Sequence, residues 1–94
     1  MGEAYFGGFA QYAKVDSNFL IKTPNDLDNH KAMMLGTAGF TALLCAFAVK
    51  AREELLLGDK VKDVLVTGAT GGVGSIAVMI LSKMGYNVHA VTGK

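Results

Sequence analysis

Val64-Leu65-Val66-Thr67-Gly68-Ala69-Thr70-Gly71-Gly72-Val73-Gly74-Ser75 decides the fold of this chain. A β-branched and aliphatic run enters a cluster of glycines. The cluster opens into Ile76-Ala77-Val78-Met79-Ile80-Leu81, which continues to Lys83 and stops at Gly85. This pattern predicts a strand, a tight turn and a helix. A turn of that kind aims backbone N–H groups at a pyrophosphate in mononucleotide-binding units. Gly68 or Gly71 lets the chain leave the strand sharply, Gly72 leaves space for phosphate oxygens beside the backbone, and Gly74 lets the helix pack close to the strand.

Downstream, Val73, Ala77, Ile80, Leu81 and Met84 repeat at helical spacing over residues 72–84, and Gly85 is placed to end the helix. Asn87-Val88-His89-Ala90-Val91 reads as the next strand, its near-continuous apolar run pointing to a buried parallel strand. The unit is therefore β-α-β, right-handed by rule. Strict Gly-x-Gly-x-x-Gly is not met, because Ala69 stands at its first position; Gly68-x-x-Gly71-x-x-Gly74 is met, as is Thr67-Gly68-x-x-x-Gly72-x-Gly74. A glycine-rich turn without a ligand is the plain alternative, and the position between strand and helix argues against it. No Gly-Lys-Ser/Thr closes the loop, which excludes a Walker A motif.

The end of the second strand bears on which dinucleotide fits. NAD enzymes place an acid ~20 residues after the glycines to bind the ribose 2′-OH. Here Thr92-Gly93-Lys94 stands in that place. A hydroxyl, an unobstructed backbone N–H and an ammonium suit a 2′-phosphate, which an acid would repel. NADPH is the better choice, although a lone lysine in a loop is by default just solvated.

Upstream, residues 7–15 read as a strand with Phe9, Ala13 and Val15 on one face and Tyr12 and Lys14 on the other, the aromatics most simply packing in a core. Phe19-Leu20-Ile21-Lys22 is a second short apolar run, and Thr23-Pro24-Asn25-Asp26 is a turn. Asp26 or Asp28 can cap a helix over about 29–35, which Gly36-Thr37-Ala38-Gly39 breaks or bends. A longer helix follows over about 40–55, apolar nearly all round at first and polar at Lys50, Arg52, Glu53 and Glu54, as suits a domain junction. Gly58-Asp59 is a turn before the charged stretch Lys60-Val61-Lys62-Asp63.

Composition excludes several classes. A formal net charge of +1 gives no electrostatic case for nucleic acid. Cys45 lies in an apolar run and reads as a small buried hydrophobe in a reduced, cytoplasmic setting. His30 and His89 have no metal-site spacing, and His89 reads as a satisfied core or edge residue. The N-terminus lacks a secretory pattern. Residues 32–49 and 64–82 carry no charge and approach the ~18-residue threshold for a membrane span, so a two-span hairpin competes. The packed glycines and threonines oppose it, since they would expose backbone to lipid.

Four stretches occur in order: Gly7-Gly8-Phe9-Ala10-Gln11-Tyr12-Ala13, Gly36-Thr37-Ala38-Gly39-Phe40-Thr41-Ala42, Val66 to Ser75 through the glycine loop, and Ala90-Val91-Thr92-Gly93-Lys94. Together they resemble the medium-chain dehydrogenase/reductase superfamily, in particular its quinone-oxidoreductase-like branch that contains NADPH-dependent acrylyl-CoA reductases. The resemblance implies a GroES-like catalytic domain followed by a Rossmann cofactor domain, so that residues 1–35 would end the first and residues 36–94 would hold the linking helix and first β-α-β unit of the second. It implies that Thr70, Gly71, Gly72 and Val73 line the pyrophosphate, that Thr92, Gly93 and Lys94 hold the 2′-phosphate, and that Thr41 lies near the nicotinamide. Zinc-dependent relatives carry a cysteine about where Thr37 stands, so a zinc-free enzyme is implied. Its substrate would be a small acyl-CoA or enone-type molecule, with neither nucleic acid nor membrane as partner, and the full-length protein would be a homo-oligomer.

The fold class expected is α/β, a partial Rossmann unit preceded by the end of a GroES-like β domain. A two-strand sheet leaves edges and faces uncovered, so the chain is expected to be part of a larger enzyme and inactive alone. Short-chain dehydrogenases share Thr-Gly-x-x-x-Gly-x-Gly, but in them the motif opens the domain, whereas here more than half the chain precedes it. An inactive nucleotide-binding fragment is the remaining alternative.

Overall fold

The computed structural model describes residues 5–55 and 62–93. After a short 3-10 turn (Ser17–Phe19) come α1 (Asn29–Leu55), β1 (Asp63–Thr67), α2 (Gly72–Lys83) and β2 (Asn87–Val91). β1 and β2 pair in parallel, from Asp63 opposite Asn87 to Thr67 opposite Val91. α2 is the crossover between them and packs on both strands and on α1. The class is α/β, and the unit is the β-α-β opening of a Rossmann-type sheet, as the glycine stretch predicts.

Local chemistry places the ends of each element. The Asp28 carboxylate accepts from the Lys31 N–H at 2.8 Å, so Asp28 rather than Asp26 caps α1. The Leu27 N–H donates to Pro24 C=O at 3.1 Å, closing the expected turn. Gly36, at φ 41° and ψ −146°, interrupts α1 with a kink. Only glycine adopts that region without strain. Helical geometry resumes directly after it, rather than at Phe40 as expected. Gly85, at φ 96°, follows the last turn of α2 as its helix-ending glycine.

α1 and α2 meet through small side chains. Ala42 and Ala46 are fully buried, and Gly39 of α1 and Gly74, Ala77 and Leu81 of α2 are buried with them. By length and composition α1 could cross a membrane. In the fold it lies along α2.

Three expectations fail. Residues 7–15 form no strand: Phe9 and Tyr12 are fully exposed, and the segment pairs with neither β1 nor β2, which pair only with each other. Asp16 instead accepts from the Asn18 N–H at 2.9 Å and starts the 3-10 turn that takes up Phe19. β2 is not buried. Among its residues only Val88 is half-buried, on the same face as the half-buried Val64 and Val66, because a single crossover helix covers one face of two strands. Cys45 is exposed, not buried. It lines an apolar groove of about 430 Å³ with Val49, β1 and the start of α2. The Gly58-Asp59 turn lies outside the described residues.

Candidate functional site

The loop between β1 and α2 is held by its own backbone. Gly68 has φ 60°, the left-handed turn that takes the chain off the strand. The Gly71 N–H donates to Gly68 C=O at 3.0 Å, and the Ala69 N–H donates to Val91 C=O at 3.1 Å. The second bond ties the loop to the end of β2. The Ser75 N–H closes the first helical turn on Gly71 C=O at 2.9 Å. Gly71 caps the helix and contributes no side-chain hydrogen bond. The opening amides of α2, at Gly72, Val73 and Gly74, therefore receive no side-chain acceptor from the cap, and the positive end of the helix dipole is concentrated there. Such an end accepts an anion.

The close helix–strand approach expected at Gly74 is present. A Cβ there would stand 2.8 Å from the Gly68 carbonyl carbon and 3.0 Å from Ala69 Cα, with the Gly68 oxygen nearer still. At Gly72 a Cβ would lie 3.4 Å from Ala38 Cβ, an ordinary contact. Of these two positions, the steric demand for glycine thus falls on 74.

Thr70 and Thr92, separated by 22 positions, come together: their hydroxyl oxygens lie 3.3 Å apart, both residues exposed. This contact joins the glycine loop to the tail of β2, and no sequence motif signals it; only the parallel register could have. Gly93 is exposed beside Thr92, with nothing within 4 Å of a Cβ built there. Lys94 lies outside the described residues. Thr41 is half-buried one turn beyond Ala38, the residue facing Gly72, and its hydroxyl donates to Thr37 C=O at 2.8 Å. Loop, strand tail and α1 thus converge on one end of the sheet.

The opposite end is polar and separate. The Asp63 carboxylate accepts from Asn87 Nδ2 at 2.6 Å and faces His89 Nε2 at 3.1 Å, which makes His89 the satisfied edge residue that its exposed strand position predicts. The hydrogen bonds from His89 and Asn87 hold the Asp63 carboxyl below its ordinary value of 3.8. The Tyr86 hydroxyl donates to Glu53 of α1, and that bond, with desolvation and the carboxylate charges, raises the phenol above 10.0. No cluster of three or more metal-ligating side chains occurs among the described residues.

A glycine loop between parallel strands, opening a helix whose glycine cap offers no side-chain acceptor, defines the first half-unit of a Rossmann-type dinucleotide fold. No family model matches the chain. It is, however, 51% identical over 94 residues to the acrylyl-CoA reductase AcuI of Ruegeria pomeroyi, covering 100% of this chain and 28% of that protein. It is 47% identical over the same length to an Escherichia coli protein named as a probable acrylyl-CoA reductase AcuI, again spanning 28% of it. Among solved structures, the yhdH oxidoreductase of Salmonella enterica in complex with NADP matches with a TM-score of 0.80 and 43% identity, over 100% of this chain and 28% of that one. The resemblance to the acrylyl-CoA-reductase-containing branch of the medium-chain dehydrogenase/reductase superfamily therefore extends along the whole chain and is not confined to the glycine loop.

Proposed function

We propose that this chain is the segment of a zinc-independent, NADPH-dependent oxidoreductase that reduces an activated C=C bond in a small acyl-CoA or enone-type substrate. In this reading residues 1–35 end a GroES-like catalytic domain, and residues 36–94 are the linking helix and first β-α-β unit of the cofactor domain. The observation that carries it is the glycine-lined start of α2, without a side-chain cap and set against the tail of β2, in a chain 43% identical to an NADP-bound oxidoreductase.

The residues present fit that cofactor. The amides of Gly72 and Val73, with Thr70 and Gly71, would take the pyrophosphate at the positive end of α2. Thr92, Gly93 and Lys94 would take the 2′-phosphate, where no acid stands to repel it. Thr41 would border the nicotinamide from α1. NADPH supplies the hydride; this segment binds and orients. Thr37 at the position of a zinc-ligating cysteine in related enzymes supports the zinc-free assignment. The whole-chain likeness, together with the packing of α1 along α2, favours a cytoplasmic protein over the membrane hairpin. A homo-oligomer without nucleic-acid partners completes the proposal.

The test is made on the full polypeptide that carries these residues. NADPH oxidation is followed with acrylyl-CoA and with a quinone, with and without a chelator. NADPH-dependent, chelator-insensitive reduction is expected. No turnover of either substrate, or loss of activity on chelation, would refute the assignment.

A further inference from the structure

The Thr41 hydroxyl donates to Thr37 C=O at 2.8 Å. A carbonyl has no proton to give, so the direction of this bond is fixed. A threonine hydroxyl carries one proton and two lone pairs. Its proton is therefore spent on its own helix, and toward anything else the oxygen can only accept. The bond also holds the side chain in one rotamer before any ligand arrives, and such preorganisation favours binding. Thr41 stands half-buried one turn beyond Ala38, whose Cβ lies 3.4 Å from where a Cβ on Gly72 would be, so it is close to the start of α2.

A hydroxyl beside a nicotinamide has two possible uses. It can donate to the substrate carbonyl, or it can accept from the carboxamide NH₂ of the cofactor. The bond to Thr37 closes the first. We infer that Thr41 is a positioning residue for the cofactor, its oxygen accepting a hydrogen bond from the carboxamide NH₂ of the nicotinamide. The inference rests on the nucleotide-site reading above and gives Thr41 a chemical role within it. Any donor to the substrate carbonyl is then a different group.

The experiment measures dissociation constants of NADP⁺ and of its 3-acetylpyridine analogue, in which a methyl replaces the carboxamide NH₂. They are read for the full polypeptide and for Thr41→Val and Thr41→Ser. Valine keeps the branched shape and removes the acceptor; serine keeps the hydroxyl. The parent is expected to prefer NADP⁺ over the analogue. Thr41→Val should reduce that preference by about threefold to tenfold, the range of one neutral hydrogen bond, by weakening NADP⁺ and not the analogue. Thr41→Ser should retain it. Equal weakening of both ligands by Thr41→Val, or an unchanged preference, would overturn the inference. A parent that binds both ligands equally would overturn it without recourse to any variant. A parent that binds neither ligand would instead overturn the nucleotide-site reading itself.

Discussion

Gly74→Ala tests how tightly α2 is set against β1. Gly74 is buried in the first turn of α2. An added Cβ meets the Gly68 carbonyl carbon at 2.8 Å and Ala69 Cα at 3.0 Å, with the Gly68 oxygen closer. All three are backbone atoms, and two hydrogen bonds restrain that backbone, Gly71 to Gly68 and Ala69 to Val91. Relief therefore requires α2 to lift from the strand or the loop to turn. Overpacking usually costs about 1–3 kcal/mol, and contact with restrained backbone puts this case near ~3 kcal/mol. Alanine recovers about 1 kcal/mol of helix propensity, so a net loss of about 2 kcal/mol is expected. Gly72→Ala is the matched control: its Cβ makes only a 3.4 Å contact with Ala38. It should leave stability unchanged or raise it by up to about 1 kcal/mol, the same gain in helix propensity without the clash. Urea unfolding of the full polypeptide, followed by circular dichroism, reads both variants at constant m. A Gly74→Ala protein that unfolds at the parent midpoint would refute the close approach, and so would equal destabilisation by the two variants.

Lys94→Asp in the full polypeptide should weaken NADPH by tenfold to a hundredfold, about 1.5–3 kcal/mol for a lost charge-assisted contact, and favour NADH in relative terms; unchanged cofactor preference counts against the 2′-phosphate site. The Asp63 carboxyl is held below its unfolded value of 3.8 by His89 and Asn87, so its stabilisation is complete above that value and fades as pH falls through the lowered folded value. Asp63→Asn should flatten the acid limb of a melting-temperature profile, and an unaltered limb would contradict it. The Tyr86 phenol is raised above 10.0, so the contribution of its bond to Glu53 is full below that value and is lost as pH rises through the folded one. Tyr86→Phe should remove that alkaline loss, read by circular dichroism melts.

What was legible in the sequence is what local chemistry settles. β2 runs Asn87–Val91 and α2 begins at Gly72, as the β-branched run and the glycines indicate. Gly36 and Gly85 punctuate the helices because their positive φ values are open to glycine at little cost. The segment over 7–15 alternates like a strand, but alternation states only which face a residue would occupy, and a strand also needs a partner edge. Cys45 was placed by the apolar character of its neighbours, yet burial depends on which face of α1 meets α2, and Gly39, Ala42 and Ala46 occupy that face. The Thr70–Thr92 contact was illegible for a different reason: each threonine had a role of its own, and only the parallel register brings them together.

The seam between α1 and α2 carries a further consequence. Ala38 faces Gly72, Gly39 approaches Ile76, and Ala42 and Ala46 complete the buried stripe. Alanine and glycine have no rotamers to freeze, so ordering this contact takes almost no side-chain entropy, whereas each long side chain would cost up to ~2 kcal/mol. With few torsions to rearrange across the seam, a shift of α1 reaches the start of α2, and with it the loop amides, with little damping by rotamer changes.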